Sequence, residues 1–185
     1  MFGMSVPTLK TLFMKEYGVT ATELDKGEGV PSCVYMHKSY FRYNGEYLPQ
    51  DYCKGGKANS IYNRMRGQSQ SGADVRLLWT IEVASLYHAD ILEGKLQLFA
   101  SNYNVSKNEA FGTELFKLSD EESIALLKRF VDEYNLKDDP TVVRISIYHN
   151  DTRTNIFEKL ENIYNANILN RDKPKNNFDG IFSFD

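Results

Sequence analysis

Residues 53–68, CKGGKANSIYNRMRGQ, set a glycine pair between two lysines, follow it with Asn-Ser, and place Arg64 and Arg66 on the segment beyond. Cationic side chains beside backbone that glycine leaves unobstructed could serve a phosphate, which needs donors, positive charge and close approach. The other reading is a tight turn before an ordinary surface helix. The stretch is not a P-loop, because that loop's spacing and its Lys-Ser/Thr ending are absent. Other groups able to do chemistry stand nearby. Tyr35 and His37 are two residues apart, so they share one face of a strand, and Tyr52 has the parity of Lys54. Gln68 follows Arg64 by four residues and shares its helix face, whereas Arg66 points elsewhere. Glu93 borders an apolar helix face. Lys95 faces away from it and the position one turn on is Gln97, so no helical neighbour is expected to neutralise it. Zinc held by Cys33, His37 and Cys53 would call for a paired C-x-x-C pattern and a fourth ligand. Neither is evident, so both cysteines are expected as free thiols.

The elements that must position these groups follow from periodicity and punctuation. PTLKTLFMKEYG spaces Leu9, Leu12, Phe13 and Tyr17 as a helix that Gly18 ends. The polar stretch TATELDKGEG leads to Pro31. SCVYMHKSYF reads as a strand, Asn44-Gly45 as a hairpin turn, and EYLPQDYCKGG as the returning strand, with Pro49 at an edge or irregular position. Asn59 or Ser60 caps a helix from Ile61. VRLLWTIEV is the clearest strand and is followed by a helix over 86–100 with Leu92, Leu96 and Phe99 on one face. After a polar loop, the capping box Ser119-Asp-Glu-Glu122 opens the helix SIALLKRFVDEY. TVVRISIYHN predicts a strand, and Thr154 or Asn155 opens a last helix with Ile156, Leu160 and Ile163 inward. The order makes an α/β fold with a small, mainly antiparallel central sheet flanked by helices and a helix–strand–helix extension at the C-terminal end.

The totals bound the function. With 185 residues, 42% hydrophobic and 25% charged, the chain suits one soluble domain with a real core. A formal charge of −3 argues against a generally basic nucleic-acid coat but leaves room for a local basic groove. The 12 Tyr and 11 Phe serve a core or a base-stacking surface equally well. MFGMSVPTLK lacks a signal peptide's basic start and apolar run, and no apolar run approaches the ~18 residues a bilayer needs, so a cytoplasmic protein is expected.

The ordered set Cys33-Val34-Tyr35, Lys54-Gly55-Gly56-Lys57-Ala58, Arg64 and Glu93, closed by GTELFKLSDEE, resembles the GIY-YIG nuclease family. The likeness is to its phage and bacterial branch, whose second motif reads Lys-Ile-Gly, and it covers roughly residues 31–123. Residues 1–30 then form an N-terminal helix and linker, and 124–185 a C-terminal extension packed on the same domain. Cys33 replaces the family's first glycine, Gly55 an apolar residue, and Gln68 a position that is often His or Lys.

The resemblance implies a metal-dependent endonuclease that hydrolyses phosphodiester bonds, in DNA rather than RNA, in a phage or defence and counter-defence setting. Glu93 would hold Mg²⁺ (or Mn²⁺), since a hard dication prefers oxygen ligands. Arg64 would clamp the scissile phosphate with its planar fork. Tyr35 would direct its hydroxyl at the nucleophilic water, and Lys54, in place of the family's second tyrosine, would stabilise charge or move a proton. His37, Tyr52, Gly56 and Gln68 would support them: a proton carrier, a nearby phenol, a point of close approach and a water or phosphate positioner. Glu114 is expected as an outer anchor and Phe116 as core. The alternative is a catalytically weakened GIY-YIG fold that binds nucleic acid or a protein, in the manner of an inhibitor. A homodimer stays open, as does a phosphate-facing role for NRDKPKNN. If Tyr35, Lys54, Arg64 and Glu93 converge in one cleft, the nuclease reading survives; if Glu93 points away from Tyr35, it fails.

Overall fold

Residues 3–43, 46–70, 74–105, 115–150 and 152–158 are described by a computed structural model. A short strand, β1 (Met4–Ser5), leads into α1 (Val6–Tyr17), which has Pro7 in its first turn and ends at Gly18 in the left-handed region at φ 63. The expected linker contains a helix, α2 (Ala21–Asp25), nucleated by a capping box between Thr20 and Glu23. Strands β2 (Ser32–Tyr43) and β3 (Glu46–Ala58) form the expected antiparallel pair; Asn44 and Gly45 between them lie outside the described residues. Then come α3 (Ile61–Ser69), capped by Ser60, β4 (Asp74–Val83), and α4 (Leu86–Phe99), capped by Ser85. A single 3₁₀ turn, a two-residue strand β5 (Leu115–Phe116), and α5 (Asp120–Glu133) with its Ser119–Glu122 capping box complete this part.

The sheet runs β5-β3-β2-β4-β6-β7, with β1 added to β4, and every named strand pair is antiparallel. Strands β6 (Val142–His149) and β7 (Thr152–Glu158) therefore extend the same sheet that carries β2 and β3. The last expected helix is corrected here. Thr154, Asn155 and Ile156 belong to β7: Thr154 pairs with Ile147 and Asn155 with Ser146 of β6, Ile156 falls at a register shift, and Leu160, Ile163 and the NRDKPKNN run lie outside the described residues. TRTNIFE has β-branched residues but no clean period of two, and pairing with β6 decides it. Among the described residues no helix is long and apolar enough to cross a membrane.

Two cores flank the sheet. On one face Val34, Met36, Cys53, Trp79 and Ile81 pack with Ala89, Leu92 and Leu96 of α4 and Leu126, Leu127 and Phe130 of α5. Trp79 is fully buried, and its indole N–H donates to Ser123 Oγ at 2.9 Å, which docks α5 without leaving a polar orphan. On the other face Cys33, Tyr35 and Leu77 pack with Leu9 and Phe13 of α1, Leu24 of α2, and Ile61, Tyr62 and Met65 of α3. Alternation along β2 thus sends successive residues to different helices. Opposite Ser39 the register jumps from Lys38–Cys53 to Tyr40–Pro49, which leaves residues 50–52, Tyr52 among them, in a bulge with Pro49 paired at its edge.

The glycine pair is explained by what lies over it. Gly55 stands opposite Met36, and a Cβ there would come within 3.1 Å of the Phe116 ring; Gly56 stands opposite Tyr35, and a Cβ there would meet its hydroxyl at 2.8 Å. Each glycine lets an aromatic ring settle against β3, one on each face. Gly56→Ala is expected to destabilise by about 1–3 kcal/mol through overpacking. Tyr35→Phe should cost less in the Gly56→Ala background than in the wild type, read from urea unfolding in a double-mutant cycle; additive costs would rule out the contact.

Candidate nucleic-acid phosphate site

Tyr35 and His37 project from β2 onto the face covered by α3. Their Cα partners on β3 are Gly56 and Lys54, so a tyrosine, a histidine, a glycine and a lysine occupy four adjoining positions. The Tyr35 and His37 rings stack with centroids 5.6 Å apart at 12°. Both are buried, with 1% exposure each. Arg64 is exposed on α3, and its charge acts on both His37 and Cys33 below. Gln68, one turn on, lies against the His37 ring, although neither ring nitrogen completes a hydrogen bond among the described residues. The structure therefore brings together Tyr35, His37, Lys54, Gly56, Arg64 and Gln68. Arg66 is tied elsewhere, to Asp25 at 3.0 Å.

Electrostatics here disfavour added positive charge. Burial, then the Lys54 charge, push the His37 pKa down to about 3, with Gln68 opposing them and Arg64 adding a smaller downward push. In the free protein the ring is a neutral imidazole at physiological pH and cannot act as an acid. Burial and the nearby Glu82 raise the Cys33 thiol well above its ordinary value, with Arg64 opposing. Cys33 and Cys53 are both free and face opposite cores. The Tyr35 hydroxyl is directed at the Gly56 backbone rather than at an open surface.

Glu93 is not part of this group. It lies on α4, which packs against the other face of the sheet, and its carboxylate is 3.8 Å from the Lys57 ammonium. Lys57 stands opposite Val34, the alternate parity from Tyr35 and Gly56, and also pairs with Asp90 of α4. The helical argument that left Glu93 without a lysine looked only along α4, and the lysine comes from β3. The two sets approach each other at β3 between Lys54 and Lys57, where the strand presents one set on each side. As a cation site, Glu93 and Asp90 offer carboxylate oxygens one helical turn apart, of the kind a hard dication prefers, and Lys57 competes for them. Among the described residues no three His, Cys, Asp or Glu side chains come together as a metal cluster. Tyr52 falls in the bulge, and Glu114 lies outside the described residues.

Sequence reasoning missed a buried polar cluster on the Tyr35 face. Glu82 of β4, 1% exposed, accepts a short hydrogen bond from the Tyr17 hydroxyl of α1, which in turn accepts one from Arg153 of β7. Arg153 also pairs with Glu16 at 2.5 Å and lies 3.9 Å from Glu82. Burial pushes the Glu82 carboxyl above its ordinary range while Arg153 pulls it down, and burial and Glu82 together raise the Tyr17 phenol. The legible signal was Glu82, the one acidic residue within the largely apolar run VRLLWTIEV. Its partner could not be read, because Arg153 falls just ahead of a helix expected to open at Thr154 or Asn155, where the structure has β7. Comparison with known proteins gave no matching family model, no matching curated protein and no matching solved structure.

Two outcomes follow. Since the fold holds His37 below its unfolded pKa, the associated stability is complete above about pH 6.5. It is lost as the pH falls towards about 3, by at most about 1.4 kcal/mol per pH unit. Urea midpoints should fall more steeply between pH 6.5 and 4 for the wild type than for His37→Phe, and parallel curves would exclude this burial. Arg153→Met should cost about 3–5 kcal/mol by leaving Glu82 unpaired, and adding Glu82→Gln should recover much of it in thermal unfolding.

Proposed function

We propose that this chain is a GIY-YIG-type module that binds a nucleic-acid backbone, DNA rather than RNA, without hydrolysing it. The observation that carries the reading is the arrangement of β3-β2-β4 with α3, in which Arg64 and Gln68 from the helix and Lys54 from the strand act on the same buried imidazole. Two cations around one glycine-lined strand end suit a nucleic-acid backbone: Arg64 donates in a fork to the phosphate and Lys54 adds a point charge. Tyr35 covers Gly56 and fixes the strand beneath, so the phosphate contacts fall to Arg64 and Lys54. Were the chain to hydrolyse DNA, Glu93, with Asp90 beside it, would hold Mg²⁺ or Mn²⁺, which supplies charge neutralisation and a more acidic bound water. Lys57 would then give up its carboxylates and turn its ammonium to the phosphate.

A second reading, a metal-dependent endonuclease of the GIY-YIG type, is favoured by the Asp90 and Glu93 carboxylates and opposed by where they stand. Glu93 sits across the sheet from Tyr35 and already has Lys57 as its counter-charge. One experiment separates the two readings. Plasmid DNA and RNA are incubated with the protein in Mg²⁺ or Mn²⁺, alongside gel-shift measurements without metal. Hydrolysis predicts nicked plasmid with the wild type and a loss of about 10²–10³-fold in rate for both Glu93→Ala and Arg64→Ala. Undiminished cleavage by Glu93→Ala would assign the activity to another site or a contaminant. Retarded DNA without cleavage, weakened by Arg64→Ala but not by Glu93→Ala, would establish the binding module instead.

A further inference from the structure

His37 is an odd residue to find under a phosphate site. It is buried, its ring is stacked on Tyr35, and the groups facing it carry positive charge or none. Tyr35 lies alongside on β2, Lys54 opposite on β3, Leu77 opposite on β4, and Arg64 and Gln68 above on α3. Among the described residues none of the groups that act on the ring is a carboxylate. A buried imidazole between two cations contributes nothing electrostatically while the site is empty, and a lysine or arginine could not be tolerated in its place. The arrangement changes once a negative charge enters between Lys54 and Arg64. We propose that His37 takes up a proton when a phosphodiester binds there, so that the backbone phosphate is held by three cations, one of which exists only in the bound state. The inference rests on the reading of Lys54 and Arg64 as a phosphate site, and the ligand class is a nucleic-acid phosphodiester.

The magnitudes allow it. With no ligand, burial and the two cations hold the ring near a pKa of about 3. A diester carries one negative charge over the whole range in question. At about 5 Å and an effective dielectric of about 20, that charge is worth roughly 2 pH units at the imidazole. The bound-state pKa therefore moves to roughly 5 or above. Below that value the complex holds one more proton than the separated partners, and affinity rises by up to about tenfold per pH unit. The proton comes from solvent and no covalent bond changes. A His37 charged in this way would sit within the phosphate's own field, available as an acid only when substrate is present.

The test uses the full chain and a short oligothymidylate, whose bases and diesters do not titrate between pH 4 and 7. Ring ¹H–¹⁵N spectra of His37 are followed over that range with and without the oligonucleotide, and affinity is measured in parallel for the wild type and His37→Gln. The expected result is a ring that stays neutral across the range without oligonucleotide and titrates at about pH 5 with it, with affinity that strengthens towards low pH in the wild type and stays flat in His37→Gln. If the oligonucleotide binds, with binding weakened by Arg64→Ala, but the ring stays neutral down to pH 4, this inference is overturned and the phosphate site stands. If it binds at no pH, both fall.

Discussion

Side chains on a β-strand alternate between two faces, and on β2 and β3 that alternation divides the chemistry of the protein. One set of positions, Cys33, Tyr35, His37, Lys54 and Gly56, lies beneath α3. The interleaved set, Val34, Met36, Cys53, Gly55 and Lys57, lies beneath α4 and α5. A shift of a single residue in the hairpin register would exchange the two sets and put lysines where Val34 and Met36 now pack. The glycine pair pins that register. Phe116 over Gly55 and Tyr35 over Gly56 are each possible only in this alignment, and they grip the strand from both sides.

The local chemistry of the site was legible because it depends on short-range rules. Tyr35 and His37 share a face for reasons of strand geometry, Arg64 and Gln68 for reasons of helix geometry, and the hairpin joins the two strands in a register that two residues can define. Gly55 was the position that looked foreign to the GIY-YIG pattern, and its explanation lies 61 positions away in sequence, in Phe116. Glu93 went the same way. Its neighbours along α4 were readable, but Lys57 reaches it from another element, and no periodicity encodes which helix covers which face. The C-terminal strand was lost for a related reason: TRTNIFE has little local preference, and pairing with β6 makes it a strand.

An acidic chain can still concentrate cations. The formal charge is −3, yet Lys54 and Arg64 act together on one ring, while acidic groups are answered individually by Lys57, Arg66 and Arg153. Net charge governs long-range attraction to a polyanion, and the local pair governs what happens on contact. Such a protein would approach DNA slowly at low salt compared with a basic one, and would depend less on ionic strength than its contact residues suggest.

The Tyr17–Glu82–Arg153 cluster has a consequence for how the protein is made. Its members are 65 and 136 residues apart in sequence, and α1 is anchored by a strand that leaves the ribosome near the end of the described chain. At synthesis rates of about 5–20 residues per second, α1 has emerged several seconds before Arg153 exists to answer Glu82. During that interval Glu82 has the Tyr17 hydroxyl for a partner but not the guanidinium that this structure sets beside it, so the face bearing Tyr35 takes its full set of charges from both ends of the described chain.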